Sequence, residues 1–372
     1  MKKSIHLVSF DVPYPPNYGG IIDVFYKIIE LHKKGVSIYL HTYLFNNKRK
    51  QTELEKYCEK VFYYKRKNSF LSILSTLPFR VKSRKNNTLI YNLIKIKAPV
   101  LFEGLHTCYP LLNKVFDERT FIRTHNIEHD YFYGLAKSES NIFKKIFFFM
   151  EGWKLKRFEK HINKVTGIFT ISPYEQRYFT SNYGNKCHYI PAFHKTKTID
   201  KYSKKRDFIL FHGDLRVSDN IKAALFLIKV YKDSGYKFII ASSKINKKIE
   251  SEIKKHDAIV FKDIPDQDSL EKLLKEAHIN TLFTFQKTGI KLKLLNTLYQ
   301  GKHIIANSKM IDDTGLENLC VVANSKKEIL RATEELFSQD FEIEDIKDRQ
   351  DKLIHFSPEE SAKKMIKEIF KP

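Results

Sequence analysis

The chain has 372 residues, 42% of them hydrophobic and 13% aromatic, which suffices for two domains with cores of their own and argues against disorder. Its longest purely apolar runs, such as Ile146 to Met150, fall far short of the roughly 20 residues that span a bilayer. A net charge of +23 favours polyanionic partners: nucleic acid, anionic lipid or diphosphate-bearing small molecules. Many of the lysines need do no more than solvate the surface. Nucleic acid is the weakest of the three, because no helix-turn-helix, RNP-type strand or zinc-finger spacing is present, and none is expected as a partner. Cys58, Cys108, Cys187 and Cys320 are scattered without C-x-x-C or metal-like spacing, as in a cytoplasmic protein with reduced thiols.

In chain order, SIHLVSF, DVPYPPNYGG, IIDVFYKIIELHKKG and VSIYLHTY predict strand, loop, helix, glycine stop and strand. This is the start of a doubly wound parallel sheet. The basic, apolar beginning reads as a first strand and not a signal peptide, because aspartate and prolines interrupt it. Gly19 and Gly20 precede the predicted helix, where backbone N–H groups can face a phosphate. The loop lacks G-x-G-x-x-G spacing, and a glycine pair in such a place is most often only a turn. Between Thr52 and Lys97 the pattern alternates among helix, a short strand at Val61 to Tyr64, and basic helix. NSFLSILSTLPFRVKSRK mixes apolar residues with arginine and lysine, as interfacial segments do.

PVLFEG and TFIRTHN read as two buried strands. Ligands of an open α/β sheet bind beyond the carboxyl ends of its strands, which is where His125, Asn126 and Glu128 fall. Ile142 to Lys164 is one long helical stretch, with Phe147, Phe148, Phe149 and Trp153 among many lysines. It suits either a lipid monolayer or a core helix with a lysine-rich outer face. TGIFTIS adds a strand, and SPYEQRYF a helix with Ser172 as N-cap and Pro173 in the first turn.

KTKTIDKYSKKRD is polar, basic and without period, an interdomain linker. A second sheet follows: DFILFHGDL, a helix from Asn220 to Lys232, YKFIIAS, a lysine-rich helix, AIVFKDI and the helix DQDSLEKLLKEA. The stretch from Phe283 to Asn307, FTFQKTGIKLKLLNTLYQGKHIIAN, predicts strand, bend, helix and strand. The N-terminus of such a helix offers unpaired N–H groups to an anion, with Thr288 as N-cap and Gly289 permitting close approach. Gly289, Lys293, Asn296 and Gln300 share one side of the wheel, opposite Leu292, Leu294, Leu295, Leu298 and Tyr299. The wheel alone fits an ordinary amphipathic helix as well. SPEESAKKMIKEIFK closes with a helix opened by an S-x-x-E box.

TGIKLKLLNTLYQGKHIIAN resembles the donor-site helix of GT-B glycosyltransferases, the retaining family four in particular. FILFHGDLRVSDNIKAALFLI resembles that family's first strand and glycine loop of the nucleotide domain. The family pattern is a glutamate, seven residues, a second glutamate, then small residues and G-x-P-V-V. Here Thr288 and Asn296 occupy the two glutamate positions, and Lys302-His303 follows Gly301. The resemblance implies an α/β chain of GT-B fold, two Rossmann-like doubly wound parallel-sheet domains facing a central cleft. Residues 1–194 would form the acceptor-side domain, 207–355 the nucleotide-sugar domain, and 356–372 a helix crossing back. It further implies transfer of a sugar from a nucleotide-diphosphate donor to a glycan or lipid-linked acceptor hydroxyl, with retention, in cell-surface polysaccharide or glycoconjugate synthesis.

By the same resemblance Gly19 and Gly20 lie near the donor's diphosphate or sugar, Gly213 and Arg216 meet the diphosphate, and the backbone at Ile264 reads the base. Thr288, Gly289, Ile290, Lys291, Lys293 and Asn296 complete the donor site, while His125, with Asn126 and Glu128 beside it, faces the transferred sugar. No acidic metal triad is evident, so neither metal nor cofactor is expected; the nucleotide-sugar is a substrate. Apart from the resemblance, the basic–aromatic segments Phe70 to Arg84 and Ile142 to Arg157 suit a cytoplasmic protein peripheral on the inner face of the membrane, with an anionic membrane surface as an added partner. Two other readings stay open: a nucleotide-sugar epimerase or phosphorylase of the same fold, and a basic polyanion-binding protein without catalysis.

Overall fold

In a computed structural model, which describes residues 3–45, 49–67, 72–73, 75–112, 116–195, 199, 206–286 and 292–371, the first half of the chain builds one parallel sheet. Its elements are β1 (Ser4–Val8), α1 (Gly19–Lys33), β2 (Ser37–Leu44), β3 (Lys60–Lys65), α2 (Phe79–Lys82), α3 (Asn87–Lys95), β4 (Val100–Glu103), β5 (Thr120–Thr124), α4 (Glu128–Ser138), α5 (Ile142–Glu159), β6 (Gly167–Thr170), α6 (Pro173–Tyr183) and β7 (Cys187–Tyr189). The strand order is β3-β2-β1-β4-β5-β6-β7. The chain steps outward from β1 one way, returns beside it at β4, and steps outward the other way. That reversal opens a crevice at the carboxyl ends of β1 and β4.

The second half repeats the plan with β8 (Arg206–His212), α7 (Ser218–Tyr231), β9 (Phe238–Ser242), α8 (Lys247–Ile253), β10 (Ile259–Asp263), α9 (Gln267–Glu276), β11 (Ala277–Leu282), α10 (Leu292–Gln300), β12 (His303–Ala306), α11 (Ser308–Ile311), β13 (Val321–Val322), α12 (Lys326–Phe337), α13 (Ile343–Leu353) and α14 (Pro358–Ile369). Its order, β10-β9-β8-β11-β12-β13, is again doubly wound, and every pairing in both sheets is parallel. Strands β4, β5, β6, β9, β11 and β12 are buried along their whole length, as strands covered on both faces are.

Helix ends follow local chemistry. Ser172 accepts from Glu175 N at the start of α6 with Pro173 in its first turn, and Ser325 and Glu328 form a capping box on α12. α1 stops where Gly35 takes φ 76°, so that Val36 N can donate to Leu31 O. Three helix and strand starts differ from the sequence reading. Gly19 and Gly20 are the first two residues of α1 and do not stand before it; Asn220 lies inside the first turn of α7; and β8 begins at Arg206.

The two halves are tied together at several points. Ile171 and Ala192 share a core cluster with Leu282, Leu295 and Leu298 of the second half, and the His194 ring lies 5.1 Å from that of Tyr299. α4 packs against α7. A Cβ added at Gly134 of α4 would come within 3.2 Å of Gln286 Nε2, so α4 of the first half meets the segment that follows β11 there. α14 crosses back to the first sheet, where Ala362, Met365 and Ile369 join Ile5, Leu7, Ile38 and Phe121 in one core. Ser361 Oγ donates to Pro191 O at 3.4 Å.

Candidate active site

Five ionisable side chains meet behind the carboxyl ends of β4 and β5. Glu103 ends β4, Arg123 sits within β5, His125 follows it, and Asp23 and Lys27 come from one face of α1. Lys27 Nζ donates to Asp23 Oδ2 at 2.9 Å and to Glu103 Oε1 at 2.7 Å, and Arg123 Nη2 donates to Asp23 Oδ1 at 2.9 Å. Arg123 also donates to the carbonyls of Thr170, Ile190 and Pro191, and Asp23 Oδ1 accepts from Phe193 N. All four charged groups are fully buried. Two cations against two carboxylates, each hydrogen-bonded, is what allows charge to persist inside a core. Burial alone would raise both carboxyl groups; Arg123 and Lys27 outweigh it at Asp23, and Lys27 and His125 at Glu103, so both stay below the usual carboxylate range.

His125 Nε2 lies 2.9 Å from Glu103 Oε2, and its Nδ1 is buried without a hydrogen-bond partner among the described residues. A second imidazole–carboxylate pair lies beside it in mirror order: His106 Nε2 stands 3.2 Å from Glu128 Oε2. Thus E-x-x-H at the end of β4 (Glu103, His106) meets H-x-x-E after β5 (His125, Glu128), each acid taking the other segment's histidine. The Phe10 ring meets both imidazoles edge to face, at 5.5 Å from His125 and 6.5 Å from His106. Gly20 admits that ring: a Cβ there would stand 2.8 Å from Phe10 Cζ. Gly20 therefore has a packing duty of its own. Asn126, half-buried, lines with Glu128 and Glu159 a cavity of about 10 Å³ and takes no part in the charge network. Gly104 takes φ 74°, a conformation that glycine adopts without strain.

Asp23, Glu103 and His125 also bring one ligand atom each within 4.8 Å of one another. Both carboxylates already bind Lys27 or Arg123, so a cation entering there would have to displace a buried ammonium or guanidinium.

On the second sheet, the carboxyl end of β8 leads into Gly213, where a Cβ would approach Asn220 Cγ at 3.1 Å. Asn220 Nδ2 donates to Asp214 O at 3.0 Å, and Asn220 Oδ1 accepts from Lys293 Nζ at 3.1 Å, joining the glycine loop to α10. Arg216 folds back on Asp214, with Nε and Nη2 each donating to a carboxylate oxygen at 2.8 Å, and stays exposed. Lys293 and Asn296 are half-buried and on one side, while Gln300 is buried and leaves the polar face drawn for it. Burial, and then Lys293, push His212 down to about 3. Asp219 in the first turn of α7 accepts from Thr284 Oγ1 at 2.8 Å and Phe285 N at 3.1 Å, and Asn307 clamps Thr284 from the other side through Nδ2 to its carbonyl at 2.7 Å. Thr284 and Phe285, just after β11, are thereby fixed. Ile264 follows β10 and packs beside Phe208 and Leu274, its N–H donating to Ser242 O at 3.2 Å. Thr288, Gly289, Ile290 and Lys291 lie outside the described residues.

Sequence reasoning picked out His125 and Glu128 but passed over Asp23, Lys27, Glu103, Arg123, His106 and Asp219. The signal for four of these was a charge inside an apolar run: Asp23 and Lys27 four apart in IIDVFYKII, Glu103 at the end of PVLFE, Arg123 within TFIRT.

The fold is that of GT-B glycosyltransferases. Over 98% of this chain and 97% of its own, a sucrose-phosphate synthase from Thermosynechococcus elongatus superposes with a TM-score of 0.70 at 13% identity. TarM does so with 0.72 at 11% identity over 100% and 99%, and HepE from Anabaena, in complex with UDP and glucose, with 0.66 at 10% over 99% of both. At such identities the likeness defines the fold. In sequence, an uncharacterized 44.6 kDa protein in the cps region of Klebsiella pneumoniae is 29% identical over 344 residues, 87% of this chain and 88% of that one. No family model matches the chain.

Proposed function

We propose that the protein is a glycosyltransferase that moves a sugar, a hexose in the simplest case, from a nucleotide-diphosphate donor to a hydroxyl of a glycan or lipid-linked acceptor, with retention of configuration. One observation carries the reading: a buried histidine–carboxylate system lies at the carboxyl end of one doubly wound sheet, and a glycine loop with a helix-borne lysine lies at the carboxyl end of the other, in a chain whose α4 and α7 pack together. The reaction must stabilise a departing diphosphate. Lys293, Arg216 and the N–H groups at Gly289 and Ile290 are the groups assigned to that charge. His125, fixed by Glu103, offers Nδ1 to a sugar hydroxyl. The donor is read as sufficient without a metal, because the Asp23 and Glu103 carboxylates are already bound to this chain's own cations. A role in polysaccharide synthesis agrees with the cps-region relative.

Thermal shifts against a panel of nucleoside diphosphates and sugar nucleotides test the reading, since a saturating ligand stabilises the fold it binds. One diphosphate should raise the melting temperature at high salt, and its sugar nucleotide should be slowly hydrolysed without acceptor. Recovery of an epimerised sugar nucleotide would make the protein an epimerase. Binding that salt abolishes for every nucleotide alike would leave only a polyanion binder.

A further inference from the structure

α5 is apolar on the side that faces away from the core. Its inner face is fully engaged: Glu151 accepts from Phe79 N and Arg80 N, Lys154 Nζ donates to Ile73 O, and Phe147 and Phe148 stack edgewise on Phe79 and Phe132. The outer face carries Ile142, Phe143, Ile146, Phe149, Met150 and Trp153, six of the large apolar side chains left exposed, with Phe143 80% accessible. At 100° per residue these six fall within an arc of about 120°. The other exposed side chains of the helix are Lys144, Lys145, Lys156 and Arg157, and both of its acids, Glu151 and Glu159, are turned inward. Glu139, just before the helix, is occupied by the N–H groups of Ser140 and Asn141.

We infer that this face docks on an anionic bilayer interface. An apolar stripe on a helix whose exposed charges are all cationic matches acyl chains beneath negatively charged headgroups. A second copy of the chain matches poorly, because a symmetric pairing would set the cations of one helix against those of the other with no acid between them. In the other basic–aromatic segment Pro78, Val81 and Arg84 are buried, and Arg84 Nε donates to Phe10 O, while Phe70, Leu71 and Leu74 lie outside the described residues. α5 packs on α4, which leaves the site at Glu128, so docking would hold the acceptor-side sheet near lipid-borne acceptors.

Trp153 is the chain's single tryptophan and lies on this face, with the Arg157 guanidinium 4.7 Å from its ring. Its emission therefore reports the docking directly. Mixed with vesicles of phosphatidylcholine and phosphatidylglycerol, the full chain should shift its emission to the blue and be quenched by lipids brominated in the acyl chain. Phosphatidylcholine alone should do much less, and added salt should reverse the shift. Phe143→Ser with Ile146→Ser should weaken vesicle affinity about tenfold or more. Lys145→Gln, Lys156→Gln and Arg157→Gln together should weaken it roughly a hundredfold. All five positions are exposed, so melting temperatures should hold. Emission unmoved by anionic vesicles would overturn the inference, as would a blue shift that grows with protein concentration in their absence. Both readouts need no sugar donor, so failure here leaves the transferase reading standing, and failure of nucleotide binding leaves this one.

Discussion

His125, just after β5, sets its Nε2 2.9 Å from Oε2 of Glu103 at the end of the neighbouring β4, and its Nδ1 has no hydrogen-bond partner among the described residues. With the Nε2 hydrogen in the bond to Glu103, a neutral imidazole so oriented has Nδ1 free to accept from a sugar hydroxyl.

Removing it separates chemistry from binding. His125→Ala should lower turnover by roughly 10²–10⁴ and leave nucleoside diphosphate affinity close to that of the unmodified protein. Calorimetry beside single-turnover kinetics reads both. Equal losses in the two would make His125 a packing residue under Phe10.

The donor side carries its own ranking. Lys293→Ala should weaken diphosphate binding by about 1.5–3 kcal/mol, and Asn296→Ala by about 0.5–1.5, because a charged hydrogen bond outweighs a neutral one. Arg216→Ala should matter less than Lys293→Ala, since Asp214 already holds that guanidinium by two hydrogen bonds. Asp214→Asn should then free Arg216 and tighten diphosphate binding. Titration of the four variants decides the order; a silent Lys293→Ala would remove α10 from the donor site.

The buried network should be stiffly interdependent. Arg123→Met leaves Asp23 inside the core with Lys27 as its only cation and should destabilise the protein by about 3–5 kcal/mol. Adding Asp23→Leu removes the stranded carboxylate, but it also frees Lys27 to rely on Glu103 alone. Recovery should therefore be partial. Urea unfolding of the two single variants and the pair gives the coupling, and strictly additive losses would contradict it.

Acidification should weaken the fold early. Burial holds His6, His41, His106, His212 and His303 below the ordinary imidazole value of 6.5, His212 at about 3 and His303 at about 4. The unfolded chain protonates these rings near pH 6.5, and the folded chain does so only at lower pH. Unfolding thus takes up protons across that interval, and stability falls as the pH drops, by up to about 1.4 kcal/mol per unit for each such ring. Asp23 and Glu103, depressed in the fold, add a second loss only once the pH falls below the ordinary carboxylate range, about 4. Melting temperatures should decline from about pH 6 downward. A plateau down to pH 5 would contradict the burial of these rings.

Much of the fold was legible because both sheets are parallel and covered, so that VLFE, TFIRT, FIIAS and HIIA stand out as short apolar runs between helical periods. His125 was legible from its place after a strand taken together with the family resemblance. Its partner was not, since Glu103 ends a strand 22 residues earlier and only sheet pairing brings the two together. Arg216 shows the limit from the other side: the residue type suits a diphosphate, but Asp214, two positions earlier, claims it first. α5 was ambiguous because apolar residues surround it, and nothing in its period says which face turns inward. Glu151 and Lys154, bonded to the backbone of 73–80, settle that.

The place of α14 carries a consequence for how the chain comes into being. Met365 and Ile369 cover α1 and the amino-terminal strands, yet they are made after the whole second sheet. At about 5–20 residues per second, roughly 10–35 s of translation separate Tyr189 from Ile369. Through that interval the nascent first sheet leaves an apolar face on α1 uncovered at the ribosome, a natural landing place for a chaperone.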